Sequence, residues 1–156
     1  MSYTNADGLR VLTNADQGAV QDTGTDEGIQ SFVLDIDDFT ALGTTVTIDP
    51  NDAVIPAGSI ILGATLVMTS AATSGGSATL SIGTYAANGD AIDADGIDQT
   101  IAKTAIDADN DVVRCDGAQT AATGYLTADA HVAAIYGAAA FTAGAGKVVI
   151  EYKKIA

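Results

Sequence analysis

Apolar and polar side chains alternate strictly in several short segments of this chain. In residues 30–36, every second residue is apolar and the intervening positions are mostly polar. A period of two is typical of a β-strand with one buried face. The apolar side of this segment comprises Phe32, Leu34 and Ile36, and the other side comprises Ser31, Val33 and Asp35.

Similar patterns predict further strands. Residues 131–141 fit either a strand or an alanine-rich helix, and the alternation of Val132, Ala134 and Tyr136 favours a strand at their start. Residues 86–111 are acidic and rich in turn formers, which predicts loops with isolated apolar positions. The other predicted strands are residues 44–48, 59–70, 78–82, 112–113, 124–126 and 146–155.

The clearest predicted hairpin joins residues 59–70 to residues 78–82. The sequence Ser74-Gly75-Gly76-Ser77 between them is typical of a turn. Matching alternate positions on the three strongest strands predict one core between two sheets. Its predicted members are Leu62, Leu66, Leu80, Ile82, Val148 and Ile150.

Seven to nine short strands separated by Gly/Asp turns predict an all-β, antiparallel β-sandwich. A jelly roll is the first expectation and an immunoglobulin-like sandwich the second. A βαβ architecture would need helical segments between the strands, and the pattern contains none of sufficient length.

The first 29 residues predict an extended N-terminal arm, and residues 30–156 a single sandwich domain. The arm is polar and carries two similar turn sequences, at residues 4–8 and 13–18, with Leu9, Val11 and Leu12 between them. Either the two turns flank one strand, or the arm leaves the body and packs on a neighbour.

The charge of the chain narrows its possible partners. The 156 residues carry a formal net charge of −14, with 20 acidic and 6 basic residues. Phosphate binding needs clustered cations, so neither nucleic acid nor a membrane surface is an expected partner. Eighteen of the acids are Asp, which favours turns and loops over helices. The N-terminus lacks the pattern of a secretory signal, and no apolar run has the ~20 residues of a membrane span.

Two aspartate clusters resemble parts of calcium sites. Asp107, Asp109 and Asp111 give the D-x-D-x-D opening of an EF-hand loop, but Val112 and Ala118 occupy the positions that require Gly and Glu. The second cluster, Asp93, Asp95 and Asp98 around Gly96, completes no motif. Solvated turn charges are therefore expected, with no bound metal or cofactor.

The chain has one candidate base, His131, and one candidate nucleophile, Cys115, and neither indicates an enzyme. His131 has no second His or Cys with which to share a zinc ion, and it is expected to be a surface or capping residue. Cys115 lacks a cationic environment and is expected to be a half-buried, unreactive thiol. No catalytic residue is predicted.

The segment Val54-Ile55-Pro56-Ala57-Gly58-Ser59-Ile60-Ile61, followed by a strand, a Ser/Gly turn and a strand ending Ser81-Ile82-Gly83-Thr84, resembles a pattern of tailed-phage virion proteins. These are capsid decoration (cement) and head-fibre proteins. The resemblance covers residues 54–84 and implies a β-sandwich that assembles as a homotrimer on a shell of major capsid protein. It implies a virion location, after synthesis in the host cytoplasm, and no transferable site residues.

The competing hypothesis is a binding module, such as a calcium-dependent carbohydrate-binding or adhesin-like β-sandwich. It would use the acidic residues 90–111 for the metal. Sugar rings would stack on Tyr85, Tyr125 or Tyr136.

Overall fold

Two four-stranded antiparallel sheets form the body of the protein. The computed structural model describes residues 2–4, 10–12, 28–49, 52–122 and 124–155. One sheet contains β3 (Gln30–Ile36), β10 (Ala143–Lys154), β5 (Ser59–Thr73) and β8 (Val112–Arg114), in that order. The other contains β4 (Val54–Ile55), β9 (Ala130–Gly137), β6 (Thr79–Tyr85) and β7 (Ala91–Ala102).

The pairing of these eight strands is that of a jelly roll. The first strand of the body pairs with the last, as β3 with β10, and the next pairs inward are β4 with β9, β5 with β8 and β6 with β7. A long hairpin folded over itself gives this nested order, with alternate pairs in opposite sheets. The predicted all-β, jelly-roll-like sandwich is confirmed.

The burial of several strands follows the predicted alternation. Strand β3 has the predicted bounds, and its Phe32, Leu34 and Ile36 side is more buried than the Val33 side. In β10, Val148 and Ile150 are fully buried while Lys147 is exposed. Residues 130–137 form a strand rather than a helix, as the alternating pattern favoured.

Five of the six predicted core residues are fully buried, and Leu62 is the exception, with 41% of its surface exposed. The prediction for Leu62 is wrong because β5 contains a bulge. Ile61 pairs with Tyr152 and Gly63 with Glu151, so the extra residue between them changes the face on which the preceding side chains lie. Ile61 is therefore buried in place of Leu62.

The predicted hairpin between residues 59–70 and 78–82 is also wrong. Both segments are strands, but β5 pairs with β10 and β8, whereas β6 pairs with β7 and β9. The Ser/Gly segment that was expected to form a hairpin turn instead carries the chain from one sheet to the other. Local sequence cannot distinguish the two connections, because each needs the same turn chemistry.

Three other segments differ from the predictions. Residues 44–48 form no strand, and residues 124–126 contribute a single bridge between Tyr125 and Ile60. Within the expected loop of residues 86–111, Ala91–Ala102 is the long strand β7. A single-turn helix, α1 (Ala118–Ala121), was not predicted, nor were the short 3₁₀ helices Phe39–Ala41 and Lys103–Ala105.

The core lies between the two sheets and is mostly aliphatic. Leu66, Leu80 and Ile82 are fully buried there, and Phe39 packs edge-on against Phe141. One polar contact crosses this region: Thr84 Oγ1 donates to Gln119 Oε1 at 2.9 Å, and both residues are buried. Because each buried polar atom has a partner there, the contact avoids the cost of an unpaired group.

The N-terminal segment contains two short strands that pair with each other. Strand β1 (Ser2–Thr4) runs antiparallel to β2 (Arg10–Leu12). Leu9 and the second turn sequence, residues 13–18, lie outside the described residues. The division into an arm of residues 1–29 and a body of residues 30–156 stays a prediction.

Candidate interaction surface

The outward side of the β3–β10–β5–β8 sheet presents regular rows of side chains across its strands. One row consists of Val33, Val149, Thr65 and Arg114, each paired with the next across a strand boundary. The adjoining row consists of Asp35, Lys147, Val67 and Val112. A third row on the same face flanks the first row on its other side. It consists of Ser31, Glu151 and Gly63. We call this surface the open face.

Aliphatic side chains occupy much of the open face. Val33 is 52% exposed and Val112 61% exposed, and Val67 and Val149 between them are half-buried. Leu62 joins them because the bulge in β5 turns it outward. Scattered apolar residues are ordinary on protein surfaces, whereas a contiguous group on one sheet face is typical of an interaction surface.

The sheet that carries the open face also has an unusual balance of charge for this protein. The four strands of the sheet carry four basic residues, Arg114, Lys147, Lys153 and Lys154, and two acids, Asp35 and Glu151. The whole chain has 6 basic and 20 acidic residues. Lys147 forms an exposed ion pair with Asp35. An acidic surface of another molecule is therefore repelled less by this sheet than by the rest of the protein.

A shallow groove of about 580 Å³ opens on the same face. Leu62, Arg114 and Thr120 lie along it, and Gly63 forms part of its floor. A side chain added at Gly63 would meet no atom within 4 Å. The groove is an empty space at the end of the row that contains Glu151.

The outward side of the β4–β9–β6–β7 sheet is partly covered. Strand β7 bulges beside β6. Ile82 pairs with Asp98 and Thr84 with Asp93, so a two-residue advance along β6 corresponds to a five-residue advance along β7. The bulge lies over Gly83, where an added Cβ would stand only 2.3 Å from the backbone of Ala94. We call this surface the covered face.

Two buried polar residues lie on this side of the sheet. Tyr85 and His131 are paired across β6 and β9, so their side chains share the outward side of the sheet, yet each is about 95% buried. The Tyr85 hydroxyl donates to the carbonyl of Ala94 at 3.4 Å. Burial raises the pKa of Tyr85, and the charges of Asp95 and Asp93 raise it further. The expectation that His131 is a surface or capping residue is wrong, because its side chain is buried in β9, between β4 and β6.

The first aspartate cluster forms a turn that extends the pairing of β5 with β8. Asp109 Oδ1 accepts from the amide of Ala71 at 2.8 Å, and Asp111 Oδ2 from the amide of Ala108 at 2.9 Å. Asn110 has a left-handed backbone, with φ of 67°, which Asn tolerates better than most residues. These contacts account for Asp109 and Asp111 without a cation, and Asp107 is exposed beside them.

The second cluster is divided by the bulge of β7. Burial raises the pKa of Asp93, and a hydrogen bond with Asp95 adds to the shift. Asp98 is 5% exposed and lies against Cys115 and Asp116; burial raises its pKa as well. Within the described ranges, no three His, Cys, Asp or Glu side chains are grouped so that they could hold a metal ion.

Cys115 is half-buried, as predicted. Burial is the main cause that raises the pKa of its thiol to about 12, and the nearby Asp98 carboxylate adds to it. A thiol with so high a pKa is protonated at neutral pH and is a poor nucleophile.

The three tyrosines proposed as sugar platforms do not share a surface. Tyr85 is buried in the covered face, and Tyr136 packs against the core. Tyr125 is half-exposed and lies by Ile60 at the end of β5. A sugar ring could therefore stack only on Tyr125.

The open face itself was not predicted as a site. Its strands are far apart in sequence, so the rows exist only after the jelly-roll pairing has formed. The sequence signal was limited to valines at outward positions, such as Val33 and Val149, where a strand with one solvated face usually has polar residues. No helix of the described segments is long and apolar enough to cross a membrane.

Comparison with known proteins gives structural matches but no sequence family. No family model matches the chain, and no curated protein matches it significantly. A chain in the capsid of Ralstonia phage GP4 aligns with a TM-score of 0.51 and 16% identity, over 88% of this chain and 90% of that one. A chain of the cyanophage Pam1 capsid asymmetric unit aligns with a TM-score of 0.42 and 18% identity, over 97% and 98%. The first match shows a shared fold.

Proposed function

We propose that this protein is a virion structural protein that decorates and stabilises the outside of a tailed-phage capsid as a homotrimer. The observation that carries the proposal is the jelly roll, which aligns over nearly the whole chain with a chain of a phage capsid. The virion pattern at residues 54–84 supports it independently, because it comes from the sequence and not from the strand order.

The chemistry of the surface supports a structural role over an enzymatic one. The thiol of Cys115 is protonated, His131 is buried, and Asp109 and Asp111 accept hydrogen bonds from the backbone. Enzymes need reactive groups at an accessible site. In contrast, a protein that acts through surfaces needs a face such as the one formed by Val33, Val112 and their neighbours.

The partners proposed are the major capsid protein shell and further copies of this chain. With a charge of −14, the protein has little attraction for nucleic acid or for an anionic membrane. Association with an acidic partner or a second copy would therefore depend on apolar and backbone contacts rather than on net charge attraction. The arm of residues 1–29 would contribute by packing on a neighbouring subunit or on the shell, with Leu9, Val11 and Leu12 as its anchor.

The test is reconstitution on shells that lack the protein. The full chain and a variant without residues 2–18 are mixed with the shells, and occupancy and oligomeric mass are measured. The full chain is expected to bind in a fixed ratio as trimers, and the truncated chain to bind weakly. Full occupancy by the truncated chain would refute the role of the arm, and a full chain that ignores shells would refute the virion role.

No described contact favours the alternative of a carbohydrate-binding module. Two of its metal residues, Asp109 and Asp111, already accept hydrogen bonds from the backbone, and Tyr85 is buried. Retention of the protein on a glycan column, with release by a chelator, would support that alternative instead.

A further inference from the structure

The open face has no covering element among the described residues, and its charge balance indicates what can cover it. The rest of the chain carries 18 acids and 2 basic residues, against 2 acids and 4 basic residues on this sheet. Two copies of so acidic a protein repel each other at almost any other surface. Among contacts in which two copies present the same surface to each other, the contact through the open face therefore has the least like-charge repulsion.

The order of residues along β10 gives the orientation of such a contact. Lys147, Val149 and Glu151 all point outward, and Val149 lies midway between the two charges. Consider a two-fold axis that lies in the interface, runs across the strands and passes over Val149. It stacks β10 on β10 of the second copy in the opposite direction, so Lys147 of each copy lies over Glu151 of the other.

The same axis matches the apolar positions. Val149 and Val33 belong to the row on the axis, so each faces its own equivalent. Thr65 and Arg114 complete that row, so the two Arg114 side chains also face each other, at the β8 edge of the contact. Val67 is in the row of Lys147, and Gly63 is in the row of Glu151. Val67 of one copy therefore faces Gly63 of the other, where the groove of about 580 Å³ leaves space for a side chain.

We propose that two copies of this chain associate face to face through the open face, with reciprocal Lys147–Glu151 pairs on either side of Val149. The proposal deepens the proposed assembly role by naming a surface and a symmetry for contact between copies. It is distinct from the three-fold contact of a trimer, and a closed assembly that makes both contacts with dihedral symmetry contains six chains.

The size of the face indicates the strength of the contact. Four strands span roughly 19 Å and seven residues roughly 23 Å, which gives about 400 Å² in projection. Standard interfaces bury about 800 Å² of accessible surface on each partner. Packed sheets also cross at about −30°, so only contacts near the axis stay matched. The association is therefore expected to depend on concentration.

A charge exchange tests the contact. The variants Lys147→Glu and Glu151→Lys each bring like charges together twice in the pair, so each is expected to weaken association by at least about tenfold. The double variant restores opposite charges and is expected to recover most of that loss. Masses are measured on the full chain by sedimentation equilibrium over a concentration series, and circular dichroism melting checks that each variant folds.

A second pair of variants is needed because Lys147→Glu could disturb the fold through its neighbour Asp35. In this pair Val33→Lys is the test and Ile92→Lys is the control. Val33→Lys lowers the net negative charge but places two cations together on the axis, so it is expected to weaken association. Ile92→Lys makes the same chemical change at a comparably exposed position, 41% against 52%, on β7 of the other sheet. It is expected to leave the association unchanged.

The results separate this proposal from the virion role. A double variant no better than its parents, equal effects of Val33→Lys and Ile92→Lys, or a wild type that is monomeric at every concentration would overturn the face-to-face contact. A trimer whose mass is unchanged by all of these substitutions would also overturn the face-to-face contact. The reconstitution on shells would still decide the virion role in that case.

Discussion

The outward sides of the two sheets differ, although both belong to the same sandwich. On the open face the strands near the middle run in register, and Gly63 has free space above it. On the covered face β7 bulges back over the sheet, so Gly83 has backbone atoms against it and the Tyr85 hydroxyl donates to the carbonyl of Ala94. A regular sheet exposes its outward residues, whereas an irregular edge strand can cover its own neighbours. The irregular strand itself carries three aspartates and no basic residue, whereas the strands of the regular sheet carry four basic residues and two acids.

The largest effect is expected from a matched pair in β5. Leu66→Ala removes a fully buried side chain and should lower the free energy of unfolding by about 2–5 kcal/mol. Leu62→Ala removes the same atoms from the open face and should cost well under about 1 kcal/mol. Chemical denaturation of both variants checks this. Equal losses would mean that the bulge in β5 is misplaced and that the open face lacks Leu62.

A second pair compares the two outward faces directly. Gly83→Ala places a methyl group 2.3 Å from the backbone of Ala94, so β7 must shift, at a cost of about 1–3 kcal/mol. Gly63→Ala adds the same group in free space and should be neutral, or stabilising by about 0.4–1 kcal/mol through the unfolded state. Melting and denaturation curves distinguish them. If Gly83→Ala were harmless, the cover over the second sheet would not exist.

The third prediction concerns Asp98, on the strand that forms the cover. Burial raises its pKa above the ordinary value of 3.8, so the folded protein holds this proton more tightly than the unfolded chain. Its contribution to stability is therefore present below that value and is lost as the pH rises through the folded pKa. As the pH rises above about 4, the free energy of unfolding of the Asp98→Asn variant should therefore fall less than that of the wild type. The exposed Asp107→Asn is the control, and identical slopes for the two variants would contradict a buried Asp98.

The smallest effect is expected from calcium. Because Asp109 and Asp111 already accept backbone hydrogen bonds, millimolar calcium and a chelator should give the same melting temperature. Replacing Asp107, Asp109 and Asp111 together by Asn should not create a difference. A calcium-dependent rise that the triple variant abolishes would show a metal site and would revive the hypothesis of a calcium-dependent module.

Much of the fold could be predicted because strand formation depends on neighbours in sequence. The alternation in residues 30–36 and 146–155 indicated both the strands and their buried sides, since side chains on a strand alternate by geometry. Leu62 shows the limit of that reasoning. A bulge exchanges the two faces of a strand, and its position depends on the partner strand.

The candidate site could be predicted less well. The prediction of Cys115 as a half-buried thiol is confirmed. The burial of His131 was missed, because it depends on strands that are distant in sequence, β4 and β6 on either side of β9. The open face was invisible for the same reason, since Val33, Val149 and Thr65 come from three distant segments.

By itself the sequence determined the all-β class, the inward residues of the regular strands and the placement of most aspartates in turns, because these follow from local periodicity and backbone preference. Only the tertiary structure decided that residues 59–73 and 79–85 lie in different sheets, that β7 covers one face, and that Lys147, Val149 and Glu151 lie exposed among valines on the other. Those outcomes depend on which strands pair, and pairing is chosen by the burial of the whole core and not by any one segment.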